Sequence, residues 1–289
     1  MKIALTQMNI IWEDKETNIR HGEALMRRAS RAGAGLIIFP EMSFTGFSMN
    51  VAKIGEDVVQ CSDGFEMTET TRRMQNLSSI YHIGAVFGYV RKATGREAGK
   101  GFNSLMAVDN GHVLASYDKL HPFSYGAEGG FYLGGAHLAD GVMQGIPFGF
   151  FICYDLRFPE IFQISSQRSH AFIVIANWPE ERMEHWKVLL RARAIENQCY
   201  MLGVNRVGKG GSLNYAPSSM AFGPCGEQLE ARELFLAETE GENESNAGRV
   251  PELLLVEIND GTVEECRKEF PLKLDRRESL YRNLWEESN

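Results

Sequence analysis

The sequence predicts an α/β protein whose fold is a four-layer αββα sandwich, with two mixed sheets stacked face to face between outer helices. Three observations lead to this fold class: strand and helix patterns alternate along the chain, hairpin signals interrupt the alternation, and several strands are apolar at every position. Hairpins add antiparallel pairs to otherwise parallel sheets, so the sheets must be mixed. Continuously apolar strands must be covered on both faces, which the four-layer arrangement achieves.

The first half of the chain supplies two helices and five strands to this scheme. Apolar residues recur at helical spacing over residues 18–32, and a second helix is predicted over residues 64–82. The predicted strands are "KIALTQM", "GLIIFP", "IGAVFGYV" and the two arms of "NSLMAVDNGHVLASYDK". The centre of the last stretch, Asp109-Asn110-Gly111, is a strong hairpin signal.

The second half continues the alternation. Pro159 suits the first turn of a helix that is predicted to run to about Ser169. A second helix is predicted over "EHWKVLLRARAIENQ", and a short one from about Gly261. The predicted strands are "FGFFIC", "HAFIVIANW", "CYMLGVNRV", "ELLLVEIN" and a pair in "SSMAFGPCGEQLEA" that turns at residues 223–226. Residues 238–248, "ETEGENESNAG", are predicted to form an exposed acidic loop.

Composition limits the classes of function. The 289 residues show no linker, so we expect one domain over residues 1–289. The formal net charge of −8 argues against a nucleic-acid partner, which would require a basic face. No stretch is long and apolar enough to span a membrane, and the first residues do not form a signal peptide. The five cysteines are scattered without zinc spacing, which predicts a cytoplasmic protein with reduced thiols and no metal.

Three chemically active residues follow apolar strands directly. "LIIFPE" ends in Glu41, "VLASYDK" ends in Lys119, and "FFIC" ends in Cys153. Open α/β sheets place their functional sites at the carboxyl ends of strands. Each residue taken alone has an ordinary interpretation: a solvated or helix-capping glutamate, a surface lysine, and a buried structural cysteine.

Together, these three residue types suit nucleophilic catalysis. A thiol attacks as its thiolate, and a carboxylate within hydrogen-bond reach can accept the thiol proton and later activate water. An ammonium group stabilises the oxyanion of a tetrahedral intermediate. The backbone N–H of Tyr154, the residue after the cysteine, provides a second donor for that oxyanion.

Three stretches of the sequence resemble the signature blocks of the nitrilase, or carbon-nitrogen hydrolase, superfamily: "FPEMSFTGF", "YDKLHPF" and "CYDLRFPE". The resemblance extends through residues 176–208 and "FPLKLDRRESLY" at residues 270–281, and so covers nearly the whole chain. It implies the nitrilase type of αββα sandwich and hydrolysis of non-peptide C–N bonds without a cofactor. It also implies a homodimer or larger homo-oligomer, in which we expect the segment from about residue 270 to pack on a partner subunit.

The resemblance also implies a role for each residue of the trio. Glu41 is expected to act as general base, Lys119 as oxyanion stabiliser and Cys153 as nucleophile. Glu128, in "YGAEGGFYLGG", matches a further glutamate that family members place near this lysine, and its alternative is an ordinary loop carboxylate.

Within the superfamily, "ANWP" with the following Arg182 and "HWKVLLRARAIENQ" look most like omega-amidases. These enzymes hydrolyse the terminal amide of small dicarboxylic acid monoamides such as 2-oxoglutaramate. One departure from the family pattern is Ser218, which stands in "YAPSS" where many members have a histidine. With serine at this position, the packing around the site, and with it the substrate, can differ from those of the members that have the histidine.

Residues near the three blocks are candidates for binding a small-molecule amide. The aromatic candidates are Phe47, Phe123, Tyr125 and Trp178, although aromatic residues near strand ends commonly belong to the core. Arg157 and Arg182 are candidates for holding a substrate carboxylate, because a guanidinium group binds carboxylates through two hydrogen bonds. A surface position is the ordinary interpretation of either arginine.

Two alternatives to an omega-amidase remain open on the sequence. The same trio could serve an N-carbamoyl-amine hydrolase, a nitrilase or an amidase acting on deaminated glutathione. A protein of another class, a non-catalytic scaffold that keeps the fold as an interaction module, would not require all three catalytic residue types.

Overall fold

A computed structural model of the protein describes residues 1–61, 64–235 and 249–287. The acidic loop predicted over residues 238–248 lies outside the described residues. Within them, the α-helices are α1 (Lys15–Arg31), α2 (Val51–Ile54), α3 (Glu69–Tyr81), α4 (Glu128–Phe131), α5 (Pro159–Ser165), α6 (Met183–Asn197), α7 (Asp260–Glu269) and α8 (Glu278–Glu287). None of these helices combines the length and the hydropathy needed to cross a membrane.

The strands of the described residues form two large sheets and two small ribbons. They are β1 (Lys2–Thr6), β2 (Leu36–Ile38), β3 (Val59–Gln60), β4 (Glu66–Met67), β5 (Gly84–Lys92), β6 (Gly101–Asp109), β7 (His112–Asp118), β8 (Tyr132–Leu133), β9 (Asp140–Met143), β10 (Ile146–Ile152), β11 (Ala171–Ala176), β12 (Tyr200–Asn205), β13 (Gly208–Gly210), β14 (Leu213–Tyr215), β15 (Met220–Phe222), β16 (Arg232–Leu234) and β17 (Leu253–Glu257).

Both large sheets are mixed, as predicted. The larger sheet has the order β16-β17-β1-β2-β5-β6-β7, with β8 beside β6, and the smaller has the order β15-β12-β11-β10-β9. Strand β1 is parallel to β2 and antiparallel to β17. Strand β10 is parallel to β11 and antiparallel to β9. The strands β3–β4 and β13–β14 form the two-stranded ribbons.

Alternate residues of the central strands point into different apolar layers. Ile3 of β1 and Ile173 of β11 are both fully buried in the core between the two sheets. Ala4, on the opposite face of β1, packs in a second cluster with residues of α1 and α3. Phe172, on the opposite face of β11, packs in a third cluster with Trp186 of α6. The four-layer αββα arrangement predicted from the sequence is therefore confirmed.

Helix boundaries differ from the predicted ones where side chains cap the backbone. The helix predicted over residues 64–82 begins only at Glu69, because the Thr68 hydroxyl accepts a hydrogen bond from Thr71 N and forms a capping box. Helix α1 begins three residues before the predicted start, after the capping side chain of Asp14. Helix α5 ends at Ser165, short of the predicted Ser169.

The region after residue 218 departs further from the prediction. Only one strand of the predicted pair forms, β15, and its would-be partner contributes a single bridge between Phe222 and Gln228. The turn over residues 223–226 is present, with Gly226 N donating to Gly223 O at 2.9 Å. Helix α7 begins one residue before the predicted start at Gly261. Helix α8 was not predicted as a separate element.

Candidate active site

The three side chains predicted at strand ends meet at one edge of the sheets. Glu41 follows β2, Lys119 directly follows β7, and Cys153 directly follows β10. Lys119 Nζ lies 2.9 Å from Glu41 Oε1 and 2.8 Å from Glu128 Oε2. Cys153 lines the same pocket as Lys119. The fold thus gathers four predicted site residues from separate parts of the chain.

The charged side chains of Glu41, Lys119 and Glu128, which we call the buried cluster, are at most 1% exposed. An isolated buried charge would be strongly disfavoured, and pairing offsets that penalty. With both carboxylates ionised, the two negative charges exceed the single positive charge by one. A thiolate at Cys153 would add a further negative charge beside the cluster, and it is therefore unfavourable unless its proton is passed to a carboxylate.

The position of Glu41 depends on a close approach between two segments of backbone. Ser43 N donates to Gly88 O at 3.1 Å, and Gly88 N donates to Ser43 Oγ at 2.8 Å. A Cβ atom at Gly88 would lie 2.4 Å from Met42 N, which leaves no room for any side chain. Glycine at this point of β5 therefore lets the turn carrying Glu41 pack directly on the sheet.

Two asparagines that the sequence analysis missed fix the carboxylates. Asn103 Nδ2, on β6, donates to Glu41 Oε1 at 2.7 Å and to Glu128 Oε1 at 2.8 Å. Asn177 N donates to Glu41 Oε2 at 2.8 Å, and its Nδ2 donates to Glu41 O at 2.6 Å. Asn103 lies in a strand with no catalytic pattern around it, so local sequence offers no signal. Asn177 stands in the "ANWP" stretch, and that resemblance could have identified it.

Cys153 occupies a strained turn between β10 and the following short helical turn. Its φ angle is +47°, in the left-handed region that non-glycine residues seldom adopt. Strained strand-to-helix turns of this kind expose a nucleophile at the edge of a sheet. Ile152 N donates to Asp155 Oδ2 at 3.1 Å and thereby braces the turn.

Asp155 also connects this turn to the segment that carries Lys119. Its carboxylate accepts hydrogen bonds from the Tyr117 hydroxyl at 2.7 Å and from His121 N at 3.0 Å. The His121 ring lies 2.8 Å from Asp155 through Nδ1. Asp155 is fully buried, so these contacts are shielded from water. One carboxylate thus joins the end of β7 to the end of β10, and it was not predicted from the sequence.

The electrostatics of the site favour a neutral thiol at rest. Burial and the Glu41 carboxylate raise the pKa of the Cys153 thiol well above its ordinary value, against the opposing effect of Lys119. Burial alone would lower the pKa of Lys119, but Glu128 and Glu41 outweigh it and raise that pKa well above the ordinary value. At neutral pH the cluster therefore holds a charged lysine beside a protonated cysteine.

A pocket opens over the cluster and Cys153. Its lining includes the predicted residues Phe47, Phe123, Tyr154, Arg157, Trp178 and Arg182. The fourth predicted aromatic residue, Tyr125, lies outside this lining and is 87% exposed, with its ring centroid 6.0 Å from that of Phe123. Three further lining residues, Pro179, Leu213 and Tyr215, were missed. Leu213 and Tyr215 come from the small ribbon β13–β14, for which no strand was predicted.

The two arginines at the pocket stack on aromatic rings. Arg157 Cζ lies 4.8 Å from the ring centroid of Trp178, and Arg182 Cζ lies 5.6 Å from that of Phe123. Among the salt bridges of the described residues, none involves either arginine. Arg157 Nη2 also lies 3.4 Å from His185 Nδ1. Because no carboxylate pairs with either guanidinium group in these salt bridges, both can bind an anion that enters the pocket.

Ser218, where the resemblance led us to expect a histidine, is buried and bonded to residues that support the pocket. Its hydroxyl accepts from Asn205 Nδ2 at 2.9 Å, and its carbonyl accepts from Trp186 Nε1 at 2.8 Å. Asn205 in turn accepts from Trp178 N at 2.7 Å. Ser218 thus acts on the pocket through the backbone of Trp178.

In the part of the chain that the structure describes, no group of three or more histidine, cysteine or acidic side chains is placed to hold a metal.

Comparison with known proteins identifies relatives along almost the whole chain. The family model described as "Carbon-nitrogen hydrolase" matches residues 2–268. A protein named "Hydrolase in agr operon" from Staphylococcus lugdunensis is 33% identical over 82% of this chain and 92% of its own length. The omega-amidase YafV of Escherichia coli (strain K12) is 30% identical over 94% of each chain. The crystal structure of XC1258 from Xanthomonas campestris, described as a CN-hydrolase superfamily protein, covers 96% of this chain and 97% of its own at 28% identity, with a TM-score of 0.76.

Proposed function

The chain belongs to the carbon-nitrogen hydrolase family, and within that family we propose that it hydrolyses the terminal amide of a small dicarboxylic acid monoamide, such as 2-oxoglutaramate. The general activity, an amidase-like hydrolysis of a C–N bond, follows from the family model and the named relatives. The proposal concerns the substrate and the roles of individual residues.

In the first half of the proposed reaction, Cys153 Sγ attacks the carbonyl carbon of the amide. Glu41 accepts the thiol proton as the bond forms, which avoids a free thiolate beside two carboxylates. Lys119 and the Tyr154 N–H stabilise the oxyanion. Glu41 then passes the proton to the leaving nitrogen, ammonia departs, and a thioester to Cys153 remains.

In the second half, water attacks the thioester and Glu41 accepts its proton. The same donors stabilise the second oxyanion. Collapse of this intermediate releases the carboxylic acid and returns the proton to the thiol. Glu128 does not exchange protons in this scheme. It holds Lys119 in place through their 2.8 Å contact and supplies its second counter-charge.

The observation that carries the catalytic assignment is the buried position of Lys119 between two carboxylates, within the pocket that Cys153 lines. A solvated lysine or a capping glutamate would not be at most 1% exposed. The raised pKa of Cys153 adds to this argument, because a neutral thiol requires a neighbouring base for attack. A non-catalytic scaffold would have no need to maintain such a cluster.

The rim of the pocket supports the choice of substrate. Arg157 and Arg182 offer two cations there, and a monoamide with a distal carboxylate supplies the matching anion. Arg182 is our first candidate for this contact and Arg157 the second. The similarity to the omega-amidase YafV points to the same substrate class.

The substrate assignment is tested by measuring kcat/KM side by side on four compounds. These are 2-oxoglutaramate, a neutral aliphatic amide of similar length, an aliphatic nitrile and an N-carbamoyl amino acid. We expect the highest value for 2-oxoglutaramate, with ammonia as the nitrogen product and no carbon dioxide. Preference for the nitrile or the carbamoyl compound would contradict the omega-amidase assignment and leave the family assignment intact. A Cys153→Ala preparation controls for contaminating hydrolases.

We also propose that the chain acts in the cytoplasm as one domain over residues 1–289 that forms a homodimer or larger homo-oligomer, with the segment from about residue 270 packing on a partner subunit. This segment exposes large apolar side chains, including Leu274 at 83% and Trp285 at 61%. Such a patch favours a protein partner over water. Trp285→Glu should lower the mass measured by analytical ultracentrifugation, whereas Ile80→Glu, at an exposed position on α3, should not.

A further inference from the structure

Two cysteines that lie far apart in the sequence meet outside the lining of the active-site pocket. Cys225 Sγ and Cys266 Sγ are 3.0 Å apart, although 41 residues separate them along the chain. A disulfide bond is about 2.05 Å long, so a shift of about 1 Å would bring the two sulfur atoms to bonding distance. Cys225 is exposed and reaches solvent, whereas Cys266 is 8% exposed.

We propose that Cys225 and Cys266 form a modification site, at which a small-molecule disulfide such as oxidised glutathione converts the two thiols to an intramolecular disulfide. Disulfides that form in reducing compartments are commonly reversible and redox-sensing. The inference does not depend on the proposed substrate.

The bond would connect the two large sheets. Cys225 lies in the turn after β15, the edge strand of the smaller sheet. Cys266 lies in α7, which follows β17 of the larger sheet. Both elements already contribute to the core between the sheets, through Ala221 of β15 and Val263 of α7. A link between them would therefore restrain separation of the two sheets at this edge.

The position of Cys266 is fixed by its neighbours. Gln198 Nε2 donates to Cys266 O at 3.3 Å and to Phe270 O at 2.7 Å, which holds the end of α7 against the end of α6. Cys225 lies instead in a surface turn, beside Gly226 with a φ of +86°. Cys225 is the exposed thiol of the pair, so it is the one that an oxidant can reach first.

The chemistry proceeds by two exchanges. The Cys225 thiolate attacks one sulfur of oxidised glutathione, so that a mixed disulfide forms and one glutathione thiolate leaves. The Cys266 thiolate then attacks the Cys225 sulfur and displaces the second glutathione. The two protein thiols are oxidised, one glutathione disulfide is reduced to two thiols, and the two protons released by the protein are taken up by these leaving groups.

The reaction should accelerate with pH. The hydrogen bond to Cys266, with partial burial, raises the pKa of the Cys225 thiol to about 11. Only the thiolate attacks, so below that pKa the thiolate fraction, and with it the rate, increases about tenfold for each pH unit. The pair is therefore slow to oxidise at pH 7 and faster at pH 9.

The test exposes the purified full-length protein to oxidised glutathione at pH 7 and pH 9, followed by peptide mapping without reduction. We expect a peptide that joins Cys225 to Cys266, formed faster at pH 9 and removed by dithiothreitol. The midpoint of thermal unfolding should rise by about 5 °C or more, because the link closes a long loop in the unfolded chain.

Cys225→Ser is the informative variant, since an exposed position tolerates serine. It should lose both the joined peptide and the rise in unfolding temperature, and Cys61→Ser should keep both. The inference fails if wild-type Cys225 ends as a stable glutathione adduct with Cys266 still free. It also fails if the cysteines join only between molecules, or if the Cys225→Ser protein gains the same thermal stability on oxidation.

Discussion

In the buried cluster, Lys119 Nζ meets the oxygens of Glu41 and Glu128 at 2.8–2.9 Å, and these side chains are at most 1% exposed. At the rim of the pocket, the guanidinium groups of Arg157 and Arg182 lie 4.8 and 5.6 Å from aromatic ring centroids. Short hydrogen bonds between buried groups fix the cluster in one geometry. Within the described residues, the rim arginines are held only by ring contacts and, at Arg157, by one exposed 3.4 Å contact with His185, so they can turn toward a ligand. We infer that the cluster determines the reaction and the rim determines the substrate, so the two should respond differently to mutation.

The largest effect is expected at Cys153, the proposed nucleophile beside the buried cluster. Cys153→Ala should lower kcat by about 10⁴-fold or more with every substrate, because no other group can form the thioester. The measurement is ammonia release under saturating substrate, with Cys61→Ala as the control for loss of a thiol. A Cys153→Ala enzyme that retains turnover near that of the wild type would exclude covalent catalysis.

The next effect is expected at Lys119. Lys119→Ala should lower kcat by at least ~10²-fold, the loss typical for one oxyanion donor, and removal of the counter-charge of the buried carboxylates should destabilise the fold as well. Lys119→Arg should not restore the rate, because the broad, planar guanidinium group of arginine does not replace the compact ammonium group of lysine. Kinetics and thermal unfolding are measured together, with Lys53→Ala as a surface control. A near-normal kcat in Lys119→Ala would show that Lys119 does not stabilise the oxyanion.

A smaller effect is expected at Asp155, which holds together the segments that carry Lys119 and Cys153. Asp155→Asn should lower kcat by about tenfold with little change in KM, because an amide cannot accept all the hydrogen bonds that the carboxylate receives from the ends of β7 and β10. Asp140→Asn, at a partly exposed position, is the control. A change in KM alone would show that Asp155 affects substrate binding at the rim of the pocket and not the alignment of Lys119 with Cys153.

The smallest effect on kcat is expected at the rim. Arg182→Ala should raise KM for 2-oxoglutaramate by about tenfold, the loss expected for a charge-assisted hydrogen bond, and should leave KM for a neutral amide unchanged. Arg157→Ala should show the same pattern if that residue makes the contact. Arg168→Ala, which removes an exposed arginine bonded to Asp140, is the control. Equal changes in KM for charged and neutral amides would mean that neither arginine binds the substrate carboxylate.

The difference between cluster and rim also explains what the sequence could predict. Lys119 and Cys153 directly follow strands, and Glu41 comes three residues after β2. The fold brings these strand ends together, so the residue types and positions were informative. The hydrogen-bonding role of Asn103 arises only when β6 packs beside distant segments, and no local pattern marks it. Tyr125 is aromatic and near a motif, yet it lies on the surface, because proximity in sequence does not determine which way a loop residue faces.

The same reasoning applies to the fold. Continuously apolar strands predicted the layers correctly, since burial on both faces leaves few arrangements. Helix ends were less predictable, because a single capping hydroxyl at Thr68 displaced one of them by several residues. The meeting of Cys225 and Cys266 depends on how two sheets stack, and spacing along the chain suggested only scattered thiols.

The central claim is that Cys153 forms a thioester that Glu41 then helps water to hydrolyse, and trapping that thioester tests it most directly. Glu41→Gln keeps the shape of the side chain but removes the base, so attack by Cys153 should be slow. The same change removes one of the charges that raise the pKa of Cys153, which increases the thiolate fraction and lets attack proceed without the base, whereas water is no longer activated. Mass spectrometry of this variant after addition of 2-oxoglutaramate should show an adduct on Cys153 equal to the substrate minus ammonia. Turnover at the wild-type rate without any adduct on Cys153 would contradict the account.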